Sequence, residues 1–341
     1  MPMIYVVGVA RALALLEGGL EPLLSQSPRH LPLVAGHSAG ELAALAFSAA
    51  AGLDDGAARQ DILLRFARVA LHLGAALEDC AVAQAPSSLV AQAVTETGSV
   101  PGPMAAVGGL FAAELTQLMA RSGEAEVVLA VQNAPTHHTL SGPPAALERF
   151  RRFLVANTRE LAAKKKQGRF AGRAVEPRWN TLAVSGPFHT ASCAPALERL
   201  LSSLDARGLA LAPGELFLEV QHSSGVFPNN GTALRDACAN IMVRPGSWMD
   251  ATAGLVRHGV NTVVDVGPGE DVAHLTGSAV RGRGVAVWAA AQARQRAVVL
   301  NDRTAPALPT AWHTFAPTVF HVAGERPRLH NRFVERTGRP P

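Results

Sequence analysis

Tyrosine is nearly missing from this sequence, with one residue in 341, and the aromatics together make up only 5%. A nucleic-acid surface of stacked rings on a basic stripe therefore has little raw material; the formal charge is only +4, and no nucleic-acid partner is expected. Cysteine is scarce too. Cys80, Cys193 and Cys238 are odd in number, far apart and in no metal-ligand spacing, which argues against a disulfide framework or a metal site and for reduced thiols in a cytoplasmic compartment. None of the three reads as a ligand or a nucleophile. A membrane-spanning run is also lacking: "MPMIYVVGVARALALLEGGL" has no basic leader, is interrupted by Arg11 and is too short to cross a bilayer. It reads as a buried helix, with no membrane partner expected. No internal repeat or low-complexity block stands out.

What is present is apolar mass. Hydrophobic residues make up 48% of the chain against 17% charged, enough to bury a sizeable core in one large domain or two smaller ones. The isoelectric point of about 9.4 mildly favours anionic ligands.

Apolar spacing over 4–17 predicts a helix, "LPLVA" at 31–35 a short buried strand, and "ELAALAFSAAAGL" from Glu41 a helix of strong formers ending at Gly52. A further helix is predicted over about 57–78. Between 103 and 185 the order becomes strand, helix, two strands, helix, strand, which is the ferredoxin-like β-α-β-β-α-β motif. Residues 159–178 are basic and glycine-containing and read as a solvated loop, with a phosphate-holding role as the alternative. From 186 helices and short strands resume, and "NTVVDVGPGEDVAHLTGSAV" predicts a buried strand passing through Gly-Pro-Gly into a helix.

The chemistry concentrates in "GHSAG", residues 36–40. A serine in G-x-S-x-G between a strand and a helix has the pattern of a nucleophile elbow, in which a strained turn lifts the hydroxyl out of the sheet and the glycines allow close helix–strand approach. The helix N-terminus would then place its positive dipole end and the Ala39 N–H where an oxyanion forms. Such a serine needs a base. Among twelve histidines, His189 in "AVSGPFHTASC" is the candidate, because an apolar strand ending in Gly-Pro delivers it toward a sheet rim. His137 and His138, in an expected hairpin, read as surface residues.

The blocks "GHSAGELAALA", "GPMAAVGGL", "VQNAPTHHTLSGPPAALERF", "SGPFHT", "NIMVRPGSWMDATAGLVRHGVNTVVDVGPGEDVAHLTG" and "FAPTVFHVAGERPRLHNRFVERTG" follow one another in that order. Together they resemble the acyltransferase region of type I fatty acid synthases, bacterial single-chain or fungal β-subunit, and more distantly malonyl-CoA:acyl carrier protein transacylases. The resemblance implies Ser38 as the acylated nucleophile, His189 as general base and acid, and Ala39 N–H as an oxyanion donor. It also implies a main-chain carbonyl, matched at Asn240, orienting the imidazole. His37 and Phe188 would contact substrate, and Arg68 or Arg65 would hold a malonyl carboxylate. A coenzyme A thioester is then the substrate, no bound cofactor or metal is needed, and the partners are an acyl carrier protein and other synthase domains or subunits.

The expected fold is α/β: a hydrolase-like, mostly parallel sheet subdomain over 1–102 and 186–313, an inserted ferredoxin-like subdomain over 103–185, and a linker over 314–341. The family also carries an early strand with a Gly-Gln-Gly turn that supplies a second oxyanion donor. Nothing before Ser38 matches it, and the reading there is a truncated or split product, an excised piece or a degenerate copy. The rival readings are a catalytically weak or inactive synthase fragment and a serine esterase or thioesterase.

Overall fold

The helix after the elbow shows most directly how this chain builds its core. In the computed structural model, which describes residues 5, 8–12, 33–82, 85–166, 177–292 and 318–321, strand β1 (Val34–Gly36) is wholly buried and leads into α1 (Gly40–Ala51). Every residue of α1 except Ala51 is buried. Its small alanines let neighbours close in on all sides, as expected of a helix without a polar face. The one polar residue in its second half, Ser48, is satisfied: its hydroxyl donates to Leu218 O at 2.7 Å and accepts the Leu218 N–H at 3.0 Å. Gly52 closes the helix where a Cβ would fall 2.7 Å from the Phe217 ring.

The chain divides into two compact units, one comprising 1–67, 212–231 and 251–341, the other 68–211 and 232–250. In the first unit β1 belongs to a six-stranded sheet of order β10-β9-β11-β1-β6-β7. Its strands are β6 (Val220–His222), β7 (Gly225–Val226), β9 (Thr262–Asp265), β10 (Ala286–Ala289) and β11 (Thr318–His321). Among the described strands of this sheet, only β1/β6 and β9/β10 pair in parallel. The mostly parallel sheet expected from the sequence is therefore mixed among the described strands, because β11 runs antiparallel to both β1 and β9 and β6/β7 is a hairpin. β11 also lies inside the stretch expected to be a linker. Of the expected helix over 4–17, residues 5 and 8–12 are helical, with Tyr5, Val9 and Ala12 buried; the rest falls outside the described residues.

The second unit holds a five-stranded sheet of order β5-β2-β4-β3-β8. Strands β2 (Met104–Gly108), β3 (Val128–Ala134), β4 (His137–Ser141) and β5 (Arg178–Thr181) pair antiparallel, and β8 (Gly246–Ser247) adds in parallel to β3. The connecting helices α4 (Ala112–Ser122) and α5 (Pro144–Lys166) contribute Leu115, Leu118, Phe150 and Leu154 to a core with Val107 and Leu140 of the sheet. α5 runs to Lys166, so the first part of the expected basic loop is helical, and 167–176 lie outside the described residues. The unit is larger than 103–185. Its α2 (Gly56–Glu78) enters at Arg68, and α3 (Ser87–Thr97) is tied to α5 where Arg151 pairs with both Glu96 and Glu148. α6 (Ala194–Ala206) and α7 (Ala233–Met242) complete it; α8 (Trp248–Arg257) begins there, and α9 (Asp271–Ala279) belongs to the first unit. No helix among the described residues is long and apolar enough to cross a membrane.

His138 corrects an expectation. It is 2% exposed and its Nε2 donates to Leu110 O at 3.0 Å, so it is a core residue of the hairpin while its neighbour His137 stays at the surface. The two-residue period of a strand turns adjacent side chains to opposite faces. Burial holds the His138 imidazole below its usual range.

Asp265, at the end of β9, is fully buried and accepts the N–H groups of Gly267 and Ala273, each at 2.8 Å. It thereby ties the Gly-Pro-Gly turn to the first turn of α9. Burial outweighs these two donors and pushes its carboxyl from 3.8 up to about 7. The proton-bound form is thus favoured by folding. Its stabilising contribution is complete below 3.8 and lost as pH rises through about 7. Asp265→Asn, neutral at every pH, is expected to melt progressively higher relative to the parent as pH is raised across that window, read by thermal unfolding. A difference in melting temperature that does not change with pH would contradict the assignment.

Candidate active site

Ser38 sits at φ 52°, in the left-handed region. The turn that holds it is closed by Gly40 N–H to His37 O and Glu41 N–H to Ser38 O, both 2.9 Å. Gly36 makes this possible: a Cβ there would lie 2.2 Å from the Glu41 nitrogen and 2.3 Å from the Gly40 carbon. Those are backbone atoms with no rotamer to yield. Gly36→Ala is expected to cost at least ~3 kcal/mol, beyond ordinary overpacking, and to lower the melting temperature sharply. An unchanged melting curve would mean that the strand and helix do not approach this closely. Ala39 and Glu41 are buried at the start of α1, while His37 and Ser38 are half-buried. The Ala39 N–H lies at the positive end of the α1 dipole.

His189 is the other strained residue, at φ 61°. Ser38 and His189 are the only non-glycine residues with positive φ among those described. Such a conformation costs on the order of 1–3 kcal/mol and persists only where the surroundings enforce it. The loop from Gly186 to Thr190 supplies that enforcement. Thr190 Oγ1 donates to Pro187 O at 2.6 Å and its N–H donates to Met242 O at 3.3 Å. Phe188 is half-buried against Met104, Ala130 and Val131 of the second sheet. His189 itself is 4% exposed, and its Nδ1 lies 3.1 Å from the carbonyl oxygen of Arg244. A carbonyl only accepts, so Nδ1 carries the proton and Nε2 holds the basic lone pair.

The orienting carbonyl therefore differs from the one carried over from the resemblance. Asn240 lies within α7, whereas Arg244 lies just beyond its end, where the chain has turned against the His189 loop. Asn240 acts one step back: its Oδ1 accepts from Arg244 Nη1 at 3.3 Å, alongside Asp236 Oδ1 at 3.1 Å. Sequence reading missed Arg244 and Thr190. A backbone carbonyl carries no residue signature, since every residue has one, but a hydroxyl directly after the histidine was a readable sign of a pinned turn.

Of the two candidate arginines, Arg65 is ion-paired with Glu215, while Arg68 is exposed on α2 and forms no ion pair among the described residues. Ser38, Ala39 and His37 belong to the first unit; Arg68, Phe188, His189 and Asn240 belong to the second. No group of three or more His, Cys, Asp or Glu side chains among the described residues could hold a metal ion.

A family model described as "Starter unit:ACP transacylase in aflatoxin biosynthesis" matches residues 1–166. The malonyl CoA-acyl carrier protein transacylase of Haemophilus influenzae is 29% identical over 189 residues, covering 55% of this chain and 53% of that protein. The chain spans about half the length of the curated relatives it matches. Among solved structures, the malonyl CoA-acyl carrier protein transacylase from Clostridium perfringens superposes with a TM-score of 0.62 at 19% identity, over 88% of this chain and 77% of that one. A malonyl-transacylase in complex with its type II polyketide acyl-carrier protein gives 0.59 at 20% identity, over 86% and 79%. At such identities the likeness is one of fold: this chain shares the mixed α/β fold of those transacylases.

Proposed function

We propose that this chain is an acyl-CoA:acyl carrier protein S-acyltransferase that moves an acetyl or malonyl group through an ester on Ser38. One observation carries the reading: among the described residues, the serine and histidine singled out from the sequence are the two non-glycine residues that the fold holds at positive φ. Ser38 Oγ, losing its proton to His189 Nε2, attacks the thioester carbonyl of a coenzyme A ester. The Ala39 N–H donates to the oxyanion, and the protonated His189 hands its proton to the departing coenzyme A thiolate. The phosphopantetheine thiol of an acyl carrier protein then takes the acyl group by the reverse sequence, which regenerates the Ser38 hydroxyl.

Arg244 O replaces the carboxylate of a hydrolase triad, which supports transfer over the esterase or thioesterase alternative. Arg68 offers a guanidinium for the free carboxylate of a malonyl group, with His37 and Phe188 as the remaining substrate contacts. The matched transacylases support coenzyme A thioesters and an acyl carrier protein as substrate and partner. The ordered sequence blocks support an origin in a type I fatty acid synthase, working in the cytoplasm beside other synthase domains. A hydrolase-like unit carrying Ser38 with an inserted ferredoxin-like unit is the matching domain reading.

The test is to incubate the purified chain separately with acetyl-CoA and malonyl-CoA, read its intact mass and map the modified peptide. An acyl group on the peptide containing Ser38 is expected, and the thioester that gives it names the substrate. No adduct from either thioester, or an adduct elsewhere, overturns the proposal and leaves the inactive-fragment reading.

A further inference from the structure

Two cysteines far apart in sequence meet beside the loop that carries His189. Cys80 lies in the turn after α2 and Cys193 in the short helical turn before α6; both are buried free thiols, at 7% and 1% exposure. They flank consecutive backbone residues. A Cβ on Gly186 would fall 3.0 Å from Cys80 Cβ, and Cys193 Sγ lies 3.7 Å from Pro187 O. The two sulfurs are near enough for each thiol to shift the other's titration.

We propose that Cys80 and Cys193 are a dithiol modification site, closed to a disulfide by hydrogen peroxide, and that closure restrains the Gly186–Cys193 loop. Each step balances. The Cys80 thiolate attacks one peroxide oxygen, forming an S–O bond as the O–O bond breaks; the leaving hydroxide takes a proton and departs as water. The Cys193 thiol then attacks the Cys80 sulfenic sulfur, the S–S bond forms, the S–O bond breaks, and a second water leaves with the Cys193 proton. Two thiols are oxidised and one peroxide is reduced to two waters.

The roles are unequal. The neighbouring Cys193 draws the Cys80 thiol below its usual range, while Cys80 and burial push Cys193 up. Cys80 is thus the attacking group and Cys193 the resolving one. Asp79 and Ala81, on either side of Cys80, are exposed, so a small oxidant reaches the turn. In a reducing compartment such a pair serves as a transient redox sensor rather than a structural staple. Because Gly186 packs directly on Cys80, drawing the two sulfurs to bonding distance bears on the backbone that holds His189.

The experiment treats the reduced full chain with hydrogen peroxide, maps it without reduction, and follows amide hydrogen exchange over 186–193. A mass lower by two hydrogens, a linked Cys80–Cys193 peptide reversed by dithiothreitol, slower exchange in that loop and Cys238 left as a thiol are expected. Cys80→Ser and Cys193→Ser should each abolish the link, and neither readout depends on acyl transfer. Absence of the linked peptide, with Cys80 ending as sulfinic acid, overturns the site; a link that leaves loop exchange unchanged overturns its coupling to the loop.

Discussion

Ser38→Ala is expected to abolish the acyl adduct and to slow transfer by roughly four to six orders of magnitude, the loss seen when a nucleophile that works as one unit with its base is removed. The measurement is a single-turnover assay with labelled malonyl-CoA or acetyl-CoA and a carrier protein. Activity within tenfold of the parent would remove Ser38 from the mechanism. The backbone adds an independent check. Alanine keeps the Cβ that makes φ 52° costly, whereas glycine adopts that angle freely. Ser38→Gly is therefore expected to melt no lower than Ser38→Ala although both are inactive. Were Ser38→Gly clearly the less stable of the two, the turn would not be strained as its geometry indicates.

His189→Asn carries the second large effect. Asparagine tolerates the left-handed region better than most residues, so the turn pinned by Thr190 should persist while the basic Nε2 is lost. Acylation of Ser38 is expected to slow by about two to four orders of magnitude, the usual contribution of general base catalysis. The imidazole limb of the pH–rate profile should vanish with it, read by the rate of adduct formation against pH under single-turnover conditions. A variant that retains both the rate and the pH dependence would assign the base elsewhere.

These expectations rest on features of unequal legibility. The elbow could be read directly, because everything that makes it is local: an apolar strand, glycines where backbones approach, and an alanine-rich helix whose first amide follows the serine. The strands and helices of 104–154 were readable for the same reason, since a two-residue or 3.6-residue apolar period is written in neighbouring letters. The strand expected to run up to Gly186-Pro187 ends earlier: the ladder with β2 covers Arg178–Thr181 and stops before the apolar Leu182 and Val184, which pack with Phe188 against Met104, Ala130 and Val131 instead.

The sequence by itself determined the α/β class, the strained turn at Ser38 and the strands and helices of 104–154. Tertiary structure alone decided which carbonyl meets Nδ1, that His138 is buried, that β11 enters the first sheet antiparallel, and that Cys80 lies against Cys193. The division has a physical cause. Backbone dihedrals and side-chain periodicity are set by residues a few positions apart, whereas these four facts depend on which distant segments share a hydrogen bond or a core, an outcome of packing the whole chain.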